Sequence, residues 1–374
     1  MDWYLKAFDA VEVDGYIWFS SKEYNGLFRV DKDTMEGVCM GHFPAEDLYI
    51  REAHLKCFYY KNLLIFIPLM AHHIHIYNMS TEEFQLIPID RQKENEWIIR
   101  DSVLKDNQVW IFPNCTNQDM LRLDLDTLGL SVINVFKKQC EEYLGGDDNQ
   151  YITICCVSKG KAWMAFYDTN IIICWDMDKK KLNFVETDVE HISSVFVDDE
   201  DIWIMNTVST EIYLYRTGEG ISEKYLSEAS YTCNPDGLHR PYFQMLRFNG
   251  ELCVVPAFAN DFIKFSDGKF ISIFHLEDKI CNSLFFYGYF CVDDELWVLP
   301  NYLSEVYIFD KKFNFKNCKP FVNMDVKSRK IILSRIAKKR LGNFVKNGIT
   351  VETNYCRLND FILSCIDTEK FDAK

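Results

Sequence analysis

Apolar residues along this chain come in short runs, each broken by a polar or glycine-containing turn, and seven of the runs repeat one pattern. They occupy residues 16–19, 64–68, 109–113, 162–165, 202–205, 252–256 and 296–300, and each is short enough to be a strand. One column can be drawn through them: Trp18, Ile65, Trp110, Trp163, Trp203, Cys253 and Trp297. Behind each column residue come a polar loop and a second apolar run, usually closed by an acid. The distance from the column to the end of that run is 13 residues in six segments and 14 in the segment Trp110 to Asp124. The column itself recurs at intervals of 47, 45, 53, 40, 50 and 44 residues, the length of one four-stranded propeller blade.

Each unit has room for two more strands, one before the column, as at 193–197, and one after the acid, as at 83–87 or 269–274. Turn residues stand where hairpins need them, for instance Asp14-Gly15 and Asn249-Gly250. The pattern predicts an all-β chain: a seven-bladed β-propeller of four-stranded antiparallel blades over residues 1–324. A β-sandwich is the competing reading, but it would not hold one column in register through seven units. Counted in phase from Trp3 to Val322, each blade owns its four strands, so ring closure is expected to rest on side-chain packing between blades 1 and 7.

Composition adds exclusions. The 374 residues are 48% hydrophobic and 26% charged, enough to bury a large core. Lys and Arg number 41 against 56 Asp and Glu, a net charge of -15, which argues against nucleic-acid binding by the body. No run approaches the ~20 apolar residues of a membrane span. The first nine residues lack the features of a secretory signal, and the 14 cysteines are scattered, without a CxxC pair. A cytoplasmic protein with buried thiols is therefore expected. The neighbours Cys155 and Cys156 point to opposite faces of a strand, which disfavours a redox pair.

Residues 325–374 differ. They hold 11 basic and 6 acidic residues, so this tail carries +5 and the body -20. Residues 326–346 read as a helix with Ile332, Leu333, Ile336, Leu341, Phe344 and Val345 apolar, and 358–365 as a second short one. The eight basic residues between Lys327 and Lys346 leave three readings: docking on the acidic propeller, binding an acidic partner, or lying on an anionic membrane.

The stretch Asp14-Gly15-Tyr16-Ile17-Trp18-Phe19, continued by Tyr24-Asn25-Gly26-Leu27-Phe28-Arg29-Val30-Asp31, resembles the repeat of streptogramin-lyase-like and two-component-regulator-type β-propellers. So does Asp294-Glu295-Leu296-Trp297-Val298 through Ile308-Phe309-Asp310. The resemblance covers about residues 3–324 and implies the fold rather than an activity, since propellers host many functions. In lyases of that kind a histidine acts as base beside a metal-held substrate. No histidine here is matched to it, and the lyase chemistry is not carried over.

Ligand sites on a propeller are expected where the loops after the second strands and the starts of the innermost strands meet around the central channel. The ligand-binding candidates there are Tyr24, His72, His73, Asn114, Asp119, Tyr167, Asp168, Asn206, Asn260, Asp261, Asn301 and Tyr302, a rim of hydrogen-bonding and aromatic groups suited to a glycan or peptide. Loops are polar in any case, so no one of these residues is diagnostic. His73 and His75 share one strand face and are weak metal candidates, with Asp119 or Glu52 to complete the set. Glu52, His54 and His191, with the pair Arg100 and Asp101, are candidate acid/base groups if they converge at the channel mouth. No GxSxG, Walker or dinucleotide motif is present. The expected function is a non-catalytic binding module for a protein, peptide or glycan, without a cofactor. The alternatives are a lyase or glycan-processing enzyme at the channel mouth and, more weakly, a propeller held at a membrane surface by its basic helix.

Overall fold

The computed structural model describes residues 5–48, 50–89, 98–146, 149–216, 220, 222–230, 240–276, 286–301, 305–324 and 328. Seven antiparallel sheets follow one another in chain order. Blade 1 is Val11–Val13, Tyr16–Ser20, Leu27–Asp31 and Glu36–Gly41; blade 2 is His54–Tyr60, Leu63–Pro68, His73–Asn78 and Glu83–Pro88; blade 3 is Ile99–Lys105, Gln108–Pro113, Met120–Asp124 and Gly129–Ile133. Blade 4 is Cys156–Ser158, Lys161–Ala165, Ile171–Asp176 and Lys181–Glu186; blade 5 is Ile192–Asp198, Asp201–Asn206, Ile212–Arg216 and Ser222–Tyr225. Blade 6 is Tyr242–Phe248, Glu251–Pro256, Asp261–Ser266 and Lys269–His275, and blade 7 is Phe286–Val292, Glu295–Pro300, Glu305–Phe309 and Phe315–Pro320. The first strand of each blade is innermost, and neighbouring first strands approach one another around the axis.

The column is a true register position. Its residues face Val11, Phe58, Val103, Cys156, Phe196, Leu246 and Phe290 on the first strands, seven positions earlier in every blade. Across the second hairpin they face Arg29, Ile76, Arg122, Cys174, Leu214, Lys264 and Ile308, eleven positions later in six blades and twelve in blade 3. The one-residue longer loop of blade 3 thus accounts for its spacing of 14. The acid at the end of the third strand is a turn device: Asp31 accepts from the backbone N–H of Asp33 and Thr34, and Asp124 from those of Asp126 and Thr127. These bonds favour the ionised carboxylates and hold both pKa values below the usual range.

Most of the core lies between blades. Phe19, Phe28 and Tyr24 of blade 1 pack with Trp297, Leu299 and Ile308 of blade 7 in one cluster, and Ile65, Ile67 and Ile76 of blade 2 with Val109, Ile111 and Leu123 of blade 3 in another. A helix, Asn134–Leu144, was not read from the sequence. It buries Phe136 and Cys140, four residues apart, against blades 3 and 4, with Phe136 5.9 Å from the Trp175 ring, and ends at Gly145 in the left-handed conformation. This insertion explains the long interval of 53 between Trp110 and Trp163.

Closure departs from the side-chain-only expectation. A short strand, Asn323–Met324, leaves blade 7 and pairs in parallel with Glu36 and Gly37 on the outer edge of blade 1, making a fifth strand there. Gly37 permits the approach, because a Cβ at this position would stand 2.3 Å from Val322 Cγ1. The Asn323 N–H also donates to the Met35 carbonyl at 2.7 Å, and the Cys39 N–H donates to Ser328 Oγ at 3.0 Å. The two helices expected at 326–346 and 358–365 lie outside the described residues, Ser328 excepted.

Candidate functional site

Counting back from the column locates the centre of the molecule. Ten residues before it stand Leu55, Arg100, Ser193, Phe243 and Tyr287 in blades 2, 3, 5, 6 and 7. In each of these blades that residue is the unpaired one of a β-bulge between the first two strands. A bulge bends the strand and re-aims its side chain, so one irregularity repeated five times shapes the mouth of the channel. Phe8 holds the corresponding place before blade 1, and its ring lies 4.6 Å from that of Tyr287. One residue further on come Asp9, Lys56, Asp101, Ser194, Gln244 and Gly288 of blades 1, 2, 3, 5, 6 and 7. A Cβ on Gly288 would meet the Phe8 carbonyl oxygen at 2.2 Å, so this place must be glycine.

The deeper ring is a closed electrostatic unit. Lys56 lies between two carboxylates, 3.8 Å from Asp101 Oδ1 and within the field of Asp9. Burial opposes its charge, but Asp9 and Asp101 outweigh that and hold the ammonium pKa above its ordinary value. Asp101 accepts the N–H groups of Ser102 at 2.8 Å and Cys155 at 3.0 Å, and Asp9 accepts that of Cys57 at 3.0 Å. Burial raises the Asp9 pKa, with Lys56 working against it. Asp101 is thus a structural carboxylate, turned to blade 4.

At the mouth the balance is different. Arg100 and Arg240, from blades 3 and 6, lie within each other's field, and both are pushed below the usual guanidinium range, chiefly by burial. Arg100 Nε and Arg240 Nη1 are buried with no hydrogen-bond partner among the described residues. Arg240 lies 5.3 Å over the Phe243 ring, and the half-buried Tyr167 shares the field of both arginines. Lys22 completes the mouth from blade 1. Its Nζ donates to Asn301 Oδ1 at 3.0 Å, pairs with Glu52 at 3.5 Å and lies 3.8 Å over the Tyr287 ring.

The histidines form a separate structure at the seam of blades 1 and 2. Ser20 Oγ is 2.8 Å from His54 Nδ1, His54 Nε2 is 2.9 Å from His75 Nδ1, and His75 Nε2 is 3.0 Å from the Pro44 carbonyl oxygen. A carbonyl only accepts, so His75 carries its hydrogen on Nε2, His54 donates from Nε2, and the Ser20 hydroxyl donates to His54 Nδ1. Every ring nitrogen is used. Burial drives the His54 pKa well down, helped by His75, and lowers that of His75 as well, so both rings are neutral.

Neither Asp119 nor Glu52 joins His73 and His75, because Asp119 is exposed on blade 3 and Glu52 belongs to Lys22. The carboxylate beside them is Glu46, whose side chain is 1% exposed. It accepts from the His72 N–H at 2.8 Å and contacts His73 Nδ1 at 2.8 Å and His72 Nδ1 at 3.3 Å. Glu46, His73 and His75 each offer an atom within 4.8 Å of the others, a spacing that suits a cation. The donor state does not suit one, since coordination by His75 would break its bond to Pro44 or to His54.

The expected acid/base cluster is dispersed. Glu52 pairs with Lys22, His54 is locked in the buried chain, and His191 sits half-exposed, 3.1 Å from Asp168, which also accepts from Thr207 Oγ1 at 3.0 Å. Several rim candidates prove to be scaffold. Tyr24 is buried in the core, 5.9 Å from the Phe28 ring. Asn206 closes its own turn by accepting from Val208 and Ser209, and Asp261 is buried under bonds from Ser230, Ser272 and His275. Asn260 is buried, and Asn114 ties blade 4 to blade 3 through its carbonyl, which accepts from Ile152. Tyr302 lies outside the described residues. Arg240, Lys22 and Tyr287 were missed, and for Tyr287 a signal existed: it stands at the same place before the column as Arg100.

A crevice beside this region, lined by Asp9, Ser20, His54, Leu55, Lys56, Cys57 and Phe66, has no room for even a water molecule and is not a small-molecule site. The chain matches no protein-family profile and no curated protein sequence. Its fold is similar to solved propellers. The extracellular domain of BT4673 from B. thetaiotaomicron, assigned to a hybrid two-component system, aligns with a TM-score of 0.54 and 13% identity over 82% of this chain and 38% of that one. PorZ, a surface component of the type-IX secretion system of Porphyromonas gingivalis, aligns with a TM-score of 0.54 and 9% identity over 85% and 38%. The computationally designed Ika8 protein gives 0.53 and 9% over 85% and 87%. This chain therefore spans little more than a third of the first two. Likeness at such identity establishes the seven-bladed fold alone.

Proposed function

We propose that this propeller is a non-catalytic binding module that recognises a protein, peptide or glycan on the face around the channel mouth. One observation carries the reading. Side chains from blades 1, 3, 4, 6 and 7, namely Lys22, Arg100, Tyr167, Arg240 and Tyr287, meet at one place on a rigid ring and mix cationic donors with aromatic faces. Such a polar-aromatic cluster suits recognition. The enzymatic alternative is supported by one feature, the pair Asp168 and His191, while Glu52, His54 and Asp101 are committed elsewhere.

The same reading places the protein in the cytoplasm, supported by ten described cysteines that are all free thiols. It treats residues 325–374 as a basic helical tail that begins its docking on blade 1, supported by the bond from Cys39 to Ser328. The test is a screen of the full-length chain against a glycan array and a random peptide library. A ligand whose binding is lost in Tyr167→Ala supports the reading. Binding that is indifferent to Tyr167, or turnover of an arrayed glycan, overturns it.

A further inference from the structure

The two arginines at the mouth present an electrostatic problem that the described residues leave open. Buried charges are normally paired or fully hydrogen-bonded, because an uncompensated one costs several kcal/mol. Here two guanidiniums lie within each other's field, each with a buried nitrogen that has no partner among the described residues. Asp101 lends Arg100 its field, but the nearby carboxylates among the described residues are hydrogen-bonded or paired elsewhere. Asp101 serves Ser102, Cys155 and Lys56; Asp168 serves His191 and Thr207; Glu52 serves Lys22. Nor is this a generally basic surface, since the chain carries a net charge of -15. Evolved as part of an acidic protein, a cationic centre on the axis calls for an anion from outside.

We propose that the channel mouth is an oxyanion-binding site, in which Arg100 and Arg240 grip a carboxylate or phosphate group and Tyr167 and Tyr287 flank the body that carries it. Planar guanidinium forks match the two oxygens of such a group, which is the pairing arginine forms best. Lys22 lies 3.8 Å over the Tyr287 ring and is already held by Asn301 and Glu52, so its part is to position that ring rather than to grip the anion. The neutralised charge would also relieve the mutual repulsion that, after burial, depresses Arg240 to about 10. This inference rests on the binding-module reading and names the chemistry of its central contact.

The experiment is thermal unfolding and calorimetric titration of the full chain with inorganic phosphate and, separately, with glucuronate, against sodium chloride at matched ionic strength. With millimolar affinity, about 50 mM of the right anion raises Tm by about 3 °C for a domain of this size. Arg240→Gln should fold and weaken the anion at least about ten-fold, Arg240→Lys should keep part of the affinity, and Lys269→Gln, a surface control, should keep all of it. Preference for phosphate or for glucuronate identifies the source, and either supports the site. No stabilisation by either anion, or one unchanged in Arg240→Gln, overturns it. A peptide or neutral glycan that still depends on Tyr167 while both anions fail would sink this inference and leave the binding module standing.

Discussion

The seam between blades 1 and 2 and the mouth of the channel both gather polar side chains from different blades, and they end in opposite states. At the seam, Ser20, His54, His75 and Pro44 form a chain in which each donor meets an acceptor and both tautomers are fixed. At the mouth, Arg100 and Arg240 keep nitrogens that nothing in the described chain satisfies. Convergence of reactive residue types is therefore a poor sign of function when taken alone. Three histidines in four residues attract attention in a sequence, yet His75 and its partner His54 are structural. What separates these two regions is charged bonding capacity left over after folding: the histidine seam spends all of its own, and the two arginines at the mouth do not.

The widest test of this contrast lies just below the mouth. Asp101→Ala removes one of the two carboxylates facing Lys56 and orphans the N–H groups of Ser102 and Cys155, so it should cost about 3–5 kcal/mol in urea unfolding. A cost under about 1 kcal/mol would show that the deeper ring is not the closed unit described. Next, His75→Ala opens a cavity at a fully buried position and breaks two bonds at once, with an expected loss of about 2–4 kcal/mol.

Acid provides a third, more selective probe. His54 and His75 have folded pKa values below that of an unfolded histidine, so their contribution is complete above about pH 6.5 and is lost as pH falls toward the folded values. Between about pH 7 and 5.5 the two together should cost about 2 kcal/mol, and His75→Gln should flatten that slope by about half. The smallest effect belongs to the mouth. Arg240→Gln removes a buried guanidinium whose Nη1 has no hydrogen-bond partner among the described residues, so without added anion stability should stay within about 0.5 kcal/mol or rise. A loss of about 2 kcal/mol or more would mean that Arg240 is structural, and the contrast between the two regions would fall.

The strand order was legible because a blade is built from hairpins, and hairpin register is local. The Trp column, the turn acids and the odd spacing in blade 3 all follow from loops of a few residues, and the structure pairs them accordingly. The helix Asn134–Leu144 was hidden behind an interval that only looked long, although Phe136 and Cys140 have helical spacing. Of the site, Arg100, Tyr167 and the shared strand of His73 and His75 were readable as polar residues near the axis. Their partners were not. Glu46 reaches the histidines from 26 and 27 residues away, and Lys22 reaches Asn301 across 279.

Taken by itself, the sequence determined how many blades there are, which residues form each hairpin and which face of each strand is apolar, since those properties depend on neighbours a few positions apart. The tertiary structure decided how the ring closes, through the pairing of Asn323–Met324 with blade 1, and which charges are spent on the scaffold and which remain at the mouth. The physical reason is that desolvation and pairing depend on what the closed ring brings to the axis. Groups from blades hundreds of residues apart meet there, and no spacing along the chain encodes their distance.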